Sequence, residues 1–135
     1  MEEKFLNDIL ATDKRIRYVG IVNDKLENLM AKTRPGLKLI LEKNEAEEKL
    51  VMLAAPIILG TLENFAGKLG NLLCASARFK KLSLIFFKVD EVNVVVSTDP
   101  VPPYLIMKKI ENKLGLLLKK QSDKRPISAK FDFLL

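Results

Sequence analysis

The stretch "LSLIFFKVDEVNVVVSTD", residues 82–99, is two apolar runs parted by an acidic break. In its first half Leu82, Leu84 and Phe86 share one parity and Ile85, Phe87 and Val89 the other, so both faces of this strand need cover. "VDE" has the chemistry of a tight hairpin, and strands are predicted over 82–89 and 92–98, with another over 72–78. Upstream, Phe5, Leu6, Ile9 and Leu10 form the narrow apolar stripe of a helix over 2–11. The polar turn "TDKR" follows. "IRYVGIV", "NDK" and "LENLMA" then predict a hairpin of strands 16–22 and 26–32, which "RPG" at 34–36 ends.

Asn44 is a good helix cap, and Glu45, Glu47 and Glu48 suit the positive end of a helix dipole, so a middle helix is expected from Asn44 to about Phe65. Pro56 opposes it, since an interior proline removes a hydrogen bond and clashes with the preceding turn at a cost of about 3 kcal/mol. The helix must kink there, or two helices must meet. "GKLG" at 67–70 lacks the spacing of a phosphate loop and is taken as a helix stop. "DPVPP" breaks the chain before a last helix over 104–119, with Ile106, Ile110, Leu114 and Leu117 inward and Lys108, Lys109, Glu111 and Lys113 toward water.

The order α-β-β-α-β-β-β-α predicts an α+β fold: a five-stranded antiparallel sheet with the terminal helices on one face and the middle helix on the other. At 135 residues one domain is expected, over 1–120, followed by a polar tail over 121–135. The tail ends in "KFDFLL", so Phe131, Phe133, Leu134 and Leu135 could dock on a sheet edge or a partner.

The middle helix carries the strongest functional signal. Leu50, Leu53, Ala54 and Ile57 are grouped on one side, Val51, Ala55, Ile58 and Leu62 on another, and Met52, Pro56 and Leu59 fill the remaining arc. For about three turns it lacks a polar face. A helix apolar all round must be buried all round, and one sheet covers only one side. A second chain is the simplest cover, so a homodimer is expected.

Composition removes several chemistries. Without histidine the chain lacks the commonest general base and metal ligand, and hydrolase triads in their standard form are excluded. Cys74 is the single cysteine, which rules out an internal disulfide or a zinc cluster and suits a buried thiol in a reducing cytoplasm. Asp13, Asp24, Asp90, Glu91 and Asp99 fall at turns, where carboxylates serve as turn formers. No catalytic, cofactor or metal residue is assigned, and an enzyme is not expected. The opening "MEEKFLNDIL" lacks the basic head of a secretory signal, and "LVMLAAPIILGTL" is too short to span a membrane.

The net charge of +6 gathers at Lys14, Arg15 and Arg17, at Arg78, Lys80 and Lys81, and at Lys119, Lys120, Lys124 and Arg125. These are taken as solvated faces, because aromatic residues are not interleaved with them as a base-stacking platform. Nucleic-acid binding is thus a minor alternative. A second alternative is a small-molecule sensor of profilin-like or PAS-like architecture, with Tyr18, Asn28, Asn93 and Ser97 as polar contacts.

The element order resembles the roadblock, longin and profilin-like group. "DKRIRYVGIVND", "GKLGNLLCASARFKKLSLIFF" and "VNVVVSTD" are also similar to a family of small, functionally uncharacterised archaeal proteins. The roadblock resemblance implies a non-enzymatic dimer that scaffolds or regulates small GTPases or motors, with sheets joined edge to edge and middle helices packed together. It puts the strand after the middle helix near the twofold axis. The dimer interface is therefore expected to use Val51, Met52, Ala55, Pro56, Leu59, Leu62, Leu73 and Cys74.

Overall fold

The structure is a computed structural model that describes residues 2–23, 25, 27–37, 44–89 and 92–120, apart from the side chains of residues 2, 28, 29, 44–48, 51, 52, 56 and 116–120. Its elements are α1 (Glu2–Ala11), β1 (Ile16–Asn23), β2 (Asn28–Thr33), α2 (Asn44–Glu63), α3 (Ala66–Leu69), β3 (Cys74–Arg78), β4 (Ser83–Val89), β5 (Val92–Thr98) and α4 (Tyr104–Lys120). The five strands form one antiparallel sheet in the order β2-β1-β5-β4-β3. β1, β5 and β4 are central, and β2 and β3 are the edges.

The double apolar parity of the central strands is resolved as two cores. On one face, Ile85 and Phe87 of β4, Val92, Val94 and Val96 of β5, and Ile16, Val19 and Ile21 of β1 pack against Leu6, Ile9 and Leu10 of α1 and Ile106, Ile110 and Leu114 of α4. On the other, Leu82, Leu84, Phe86, Val95, Tyr18 and Val22 pack against Ala55 and Leu59 of α2. Both faces of the sheet are covered. A register shift between Ile16 and Tyr18 returns Ile16 to the face of Val19 and Ile21, which a regular strand would deny it.

α2 is one helix of 20 residues that runs through Pro56, so two meeting helices are not what the sequence forms. Its inner side is built from Leu50, Ala54, Ala55, Ile58 and Leu59. The small pair Ala54 and Ala55 lets the helix axis lie close over β4 and β5. The helix ends at Glu63, two residues before the expected point, and the "GKLG" segment is not simply a stop. Its first three residues lie in α3, and the break falls at Gly70, whose φ of 88° is a left-handed conformation suited to glycine and whose N–H donates to the Ala66 carbonyl.

At the other hairpin, Gly36 after "RP" also has a positive φ, of 76°, as a turn there requires. β2 begins at Asn28 rather than Leu26, because the turn is longer: the side chain of Asn23 accepts from the N–H groups of Lys25 and Glu27. The tail residues Phe131, Phe133, Leu134 and Leu135 lie outside the described residues.

Candidate interaction surface

α2 buries one side against the sheet and leaves the opposite side in solvent. Leu53 is 68% exposed and Ile57 71%, one helical turn apart on the outer side, with Leu62 41% exposed at the end of the helix. The apolar surface continues through Phe65, Leu69 and Leu73, all exposed, along the chain that leads to β3. β3 is an edge strand that pairs only with β4. Exposed apolar residues thus occupy the outer side of α2 and the chain that leads to a sheet edge whose outer backbone groups have no strand beside them among the described residues.

This geometry redistributes the residues named from sequence. Leu62 and Leu73 lie on the exposed surface. Ala55 and Leu59 do not: both are buried on the chain's own sheet, where Leu59 packs with the cluster around Phe86. The grouping of Leu50 and Ala54 with Leu53 and Ile57 is corrected likewise, since the first two face the sheet and the second two face water. Cys74 is half-buried on the opposite face of the sheet from α2. It packs against the α1 and α4 core, and its thiol donates weakly to Glu111 Oε1 at 3.8 Å. Burial, reinforced by the Glu111 carboxylate, pushes the thiol's pKa up. The side chains of Val51, Met52 and Pro56 lie outside the described residues.

Leu53, Ile57, Phe65 and Leu69 are exposed residues that the interface expected from sequence did not include. A signal for two of them was present, because Ala54 and Ala55 mark the close-packed side and, at about 100° per residue, Leu53 and Ile57 lie about 150° and about 110° round the helix from the middle of that pair. Lys88 on β4 forms an ion pair with Glu63 at 3.4 Å and fixes the end of α2 to the sheet.

Tyr18, Asn93 and Ser97 do share the sheet face beneath α2, and all three are buried; the Asn28 side chain is outside the described residues. They do not converge. Ser97 lies beside Tyr18 in the register, whereas Asn93 is four residues further along β5, about 13 Å away at about 3.3 Å per residue.

A second polar structure lies where α1, β1 and α4 meet. Asp13, with its side chain 3% exposed, accepts from the Arg15 backbone N–H at 2.9 Å, from Arg15 Nε at 2.9 Å and Nη2 at 2.7 Å, and from Lys109 Nζ at 2.8 Å. The Arg15 guanidinium holds the carboxyl well below the usual carboxylate range; burial opposes this and Lys109 assists it. Arg34 completes the knot by donating to the carbonyls of Leu10, Asp13 and Ile16. An open cleft of about 360 Å³ beside it is lined by Asp8, Ala11, Thr12, Lys109, Asn112 and Lys113. Its Lys109 is already committed to Asp13. Among the described residues no group of three histidine, cysteine, aspartate or glutamate side chains could hold a metal ion, and no helix is long and apolar enough to cross a membrane.

No family model and no curated protein matches the sequence. Solved structures do match in shape. The gliding protein MglB from Thermus thermophilus superposes with a TM-score of 0.64 at 14% identity, over 82% of this chain and 81% of that one. A structure of MglB in a tetrameric arrangement gives 0.58 at 15% identity, over 82% and 77%. A Roadblock/LC7 domain from Streptomyces avermitilis gives 0.64 at 3% identity, over 89% and 97%. With a five-stranded antiparallel sheet held between two terminal helices and one long middle helix, the chain has a roadblock-like fold.

Proposed function

We propose that this protein is a non-catalytic interaction module that self-associates through the outer side of α2 and the neighbouring β3 edge, and presents the composite surface to a protein partner. The observation that carries this reading is the exposure of Leu53 and Ile57 on the outer side of α2, followed along the chain by exposed Leu62, Leu69 and Leu73. Covering about 300 Å² of it at about 25 cal/mol per Å² would contribute about 7 kcal/mol before association costs. That is comparable to the whole stability of a small domain. Residues 1–120 would act as the folded unit. The tail, with Phe131, Phe133, Leu134 and Leu135, would be a peptide free to engage an edge or a partner. A small GTPase is the partner class that the roadblock resemblance brings to this reading, and one MglB structure of similar fold is tetrameric.

Native mass spectrometry of the purified protein tests the proposal. A species of about twice the 15.3 kDa chain mass, with no small-molecule adduct, is expected. A monomer carrying a bound small molecule would favour instead a sensor that holds its ligand between sheet and α2, near Tyr18, Asn93 and Ser97.

A further inference from the structure

One end of the sheet gathers half of the exposed basic side chains among the described residues, namely Lys14, Arg78, Lys80, Lys81 and Lys108. Ser83 pairs with Thr98, Arg78 with Ser83, and Ile16 with Thr98, so the β3–β4 turn, the β5–α4 segment and the α1–β1 turn share that end. Ser83 Oγ donates to the Val101 carbonyl at 2.8 Å, and the Asp99 N–H donates to the Arg15 carbonyl at 2.9 Å, which fastens the three segments together. The segment after β2 joins them, with the Arg34 N–H donating to the Arg17 carbonyl at 2.8 Å.

The acids within residues 11–16, 33–37, 78–83 and 98–108 are Asp13 and Asp99, and both are already held. Asp13 is bound by Arg15 and Lys109, and Asp99 by Arg17 at 3.3 Å. Lys14, Arg78, Lys80, Lys81 and Lys108 are exposed, and none makes an ion pair with another described residue. Three apolar side chains stand out among them. Phe79 is half exposed at the start of the β3–β4 turn, where its N–H donates to the Leu82 carbonyl at 2.8 Å, and Tyr104 and Leu105 are exposed in the first turn of α4, with Lys108 one turn after Tyr104. From the sequence Lys14 and the Arg78, Lys80 and Lys81 cluster read as separate solvated faces; the strand register brings residue 14, the run 78–81 and residues 104–108 to one end of the sheet.

We propose that this end of the sheet docks on the surface of an anionic lipid bilayer, with Phe79, Tyr104 and Leu105 entering the headgroup region between the five cations. A membrane interface needs that combination: basic residues draw the protein to the negative leaflet, and partly apolar side chains beside them insert. The architecture disfavours nucleic acid. Helices cover both faces of the sheet, so no strand platform is open for stacking bases, and the aromatic residues stand at the start of a turn and the start of a helix. The cations are also dispersed over several segments rather than converging on one point, as a cradle for a single small anion would require. The surface is complete in one subunit, so its test is independent of self-association.

The test is co-sedimentation of the full chain with phosphatidylcholine vesicles, alone or containing about one third phosphatidylserine, at low salt and at about 0.5 M salt. Binding to the anionic vesicles, little binding to the neutral ones, and weakening by salt are expected. K80Q/K81Q should reduce partitioning about twenty-five-fold, at about fivefold per basic residue. Phe79→Ser should reduce it about tenfold while preserving the salt dependence. All these side chains are exposed, so each variant should keep the wild-type melting transition, read by circular dichroism on the same samples. The proposal is overturned if anionic vesicles do not bind the protein at low salt, if neutral vesicles bind it equally, or if folded K80Q/K81Q partitions like wild type. A single-stranded RNA oligomer that binds through Lys80 and Lys81 while vesicles do not would also overturn it.

Discussion

Replacing Asp13 with Asn removes the charge at the centre of the α1–β1–α4 knot while preserving its shape. The carboxylate is almost wholly buried and receives four hydrogen bonds, three from Arg15 and one from Lys109. An amide can accept with one atom only and turns two donors of its own toward Arg15 and Lys109. Breaking a buried ion pair costs about 3–5 kcal/mol. The cations here reach solvent, Lys109 with half its side chain exposed, and can rehydrate, so the expected loss for Asp13→Asn is about 2–3 kcal/mol. At this chain length that lowers Tm by about 10 °C.

The pH dependence supplies the sharper check. Because the folded-state pKa of Asp13 is depressed, its stabilisation is full above the unfolded value near pH 4 and is lost as pH falls toward the folded one. The gap between wild type and Asp13→Asn in urea unfolding, followed by circular dichroism, should therefore be widest at pH 6–7 and about 1 kcal/mol narrower at pH 3. A gap at neutral pH below about 0.5 kcal/mol, or one that does not change between pH 7 and pH 3, would refute the reasoning.

Other outcomes follow from single contacts. A Cβ placed on Gly20 would lie 2.6 Å from the Tyr18 hydroxyl, inside a buried ring contact, so Gly20→Ala should cost about 1–3 kcal/mol in urea unfolding. Adding Tyr18→Phe, which removes the nearest atom, should recover part of that loss. Cys74 should react with a disulfide reagent at pH 8 more slowly than a free cysteine, and Glu111→Gln, by removing the neighbouring charge, should speed it severalfold; an unchanged rate would contradict the role given to Glu111.

Much of the scaffold was legible because each strand has to satisfy a simple parity. Leu82, Leu84 and Phe86 lie under α2, and Ile85 and Phe87 under α1 and α4, as the alternation required. The α4 stripe of Ile106, Ile110 and Leu114 is buried for the same reason. The placement of β1 between β2 and β5 could not be read, because local pattern does not choose partners for strands far apart in sequence. Asp13 was readable as a turn former, and it does accept from the Arg15 N–H two residues on. Its bond to Lys109, 96 residues away, has no local signature. On α2 the failure was different in kind. When every position is apolar, periodicity cannot say which side faces the sheet, so it does not separate Ala55 and Leu59, which the sheet buries, from Leu53 and Ile57, which face water.

Sedimentation equilibrium over a wide concentration range, comparing wild type with Ile57→Asp, tests most directly whether the outer side of α2 is where two copies meet. Ile57 is 71% exposed, so the aspartate should leave the subunit folded. The account predicts about twice the 15.3 kDa chain mass for wild type and a single chain mass for the variant. A wild-type mass of one chain at every concentration, or a dimer indifferent to a charge at position 57, would contradict it.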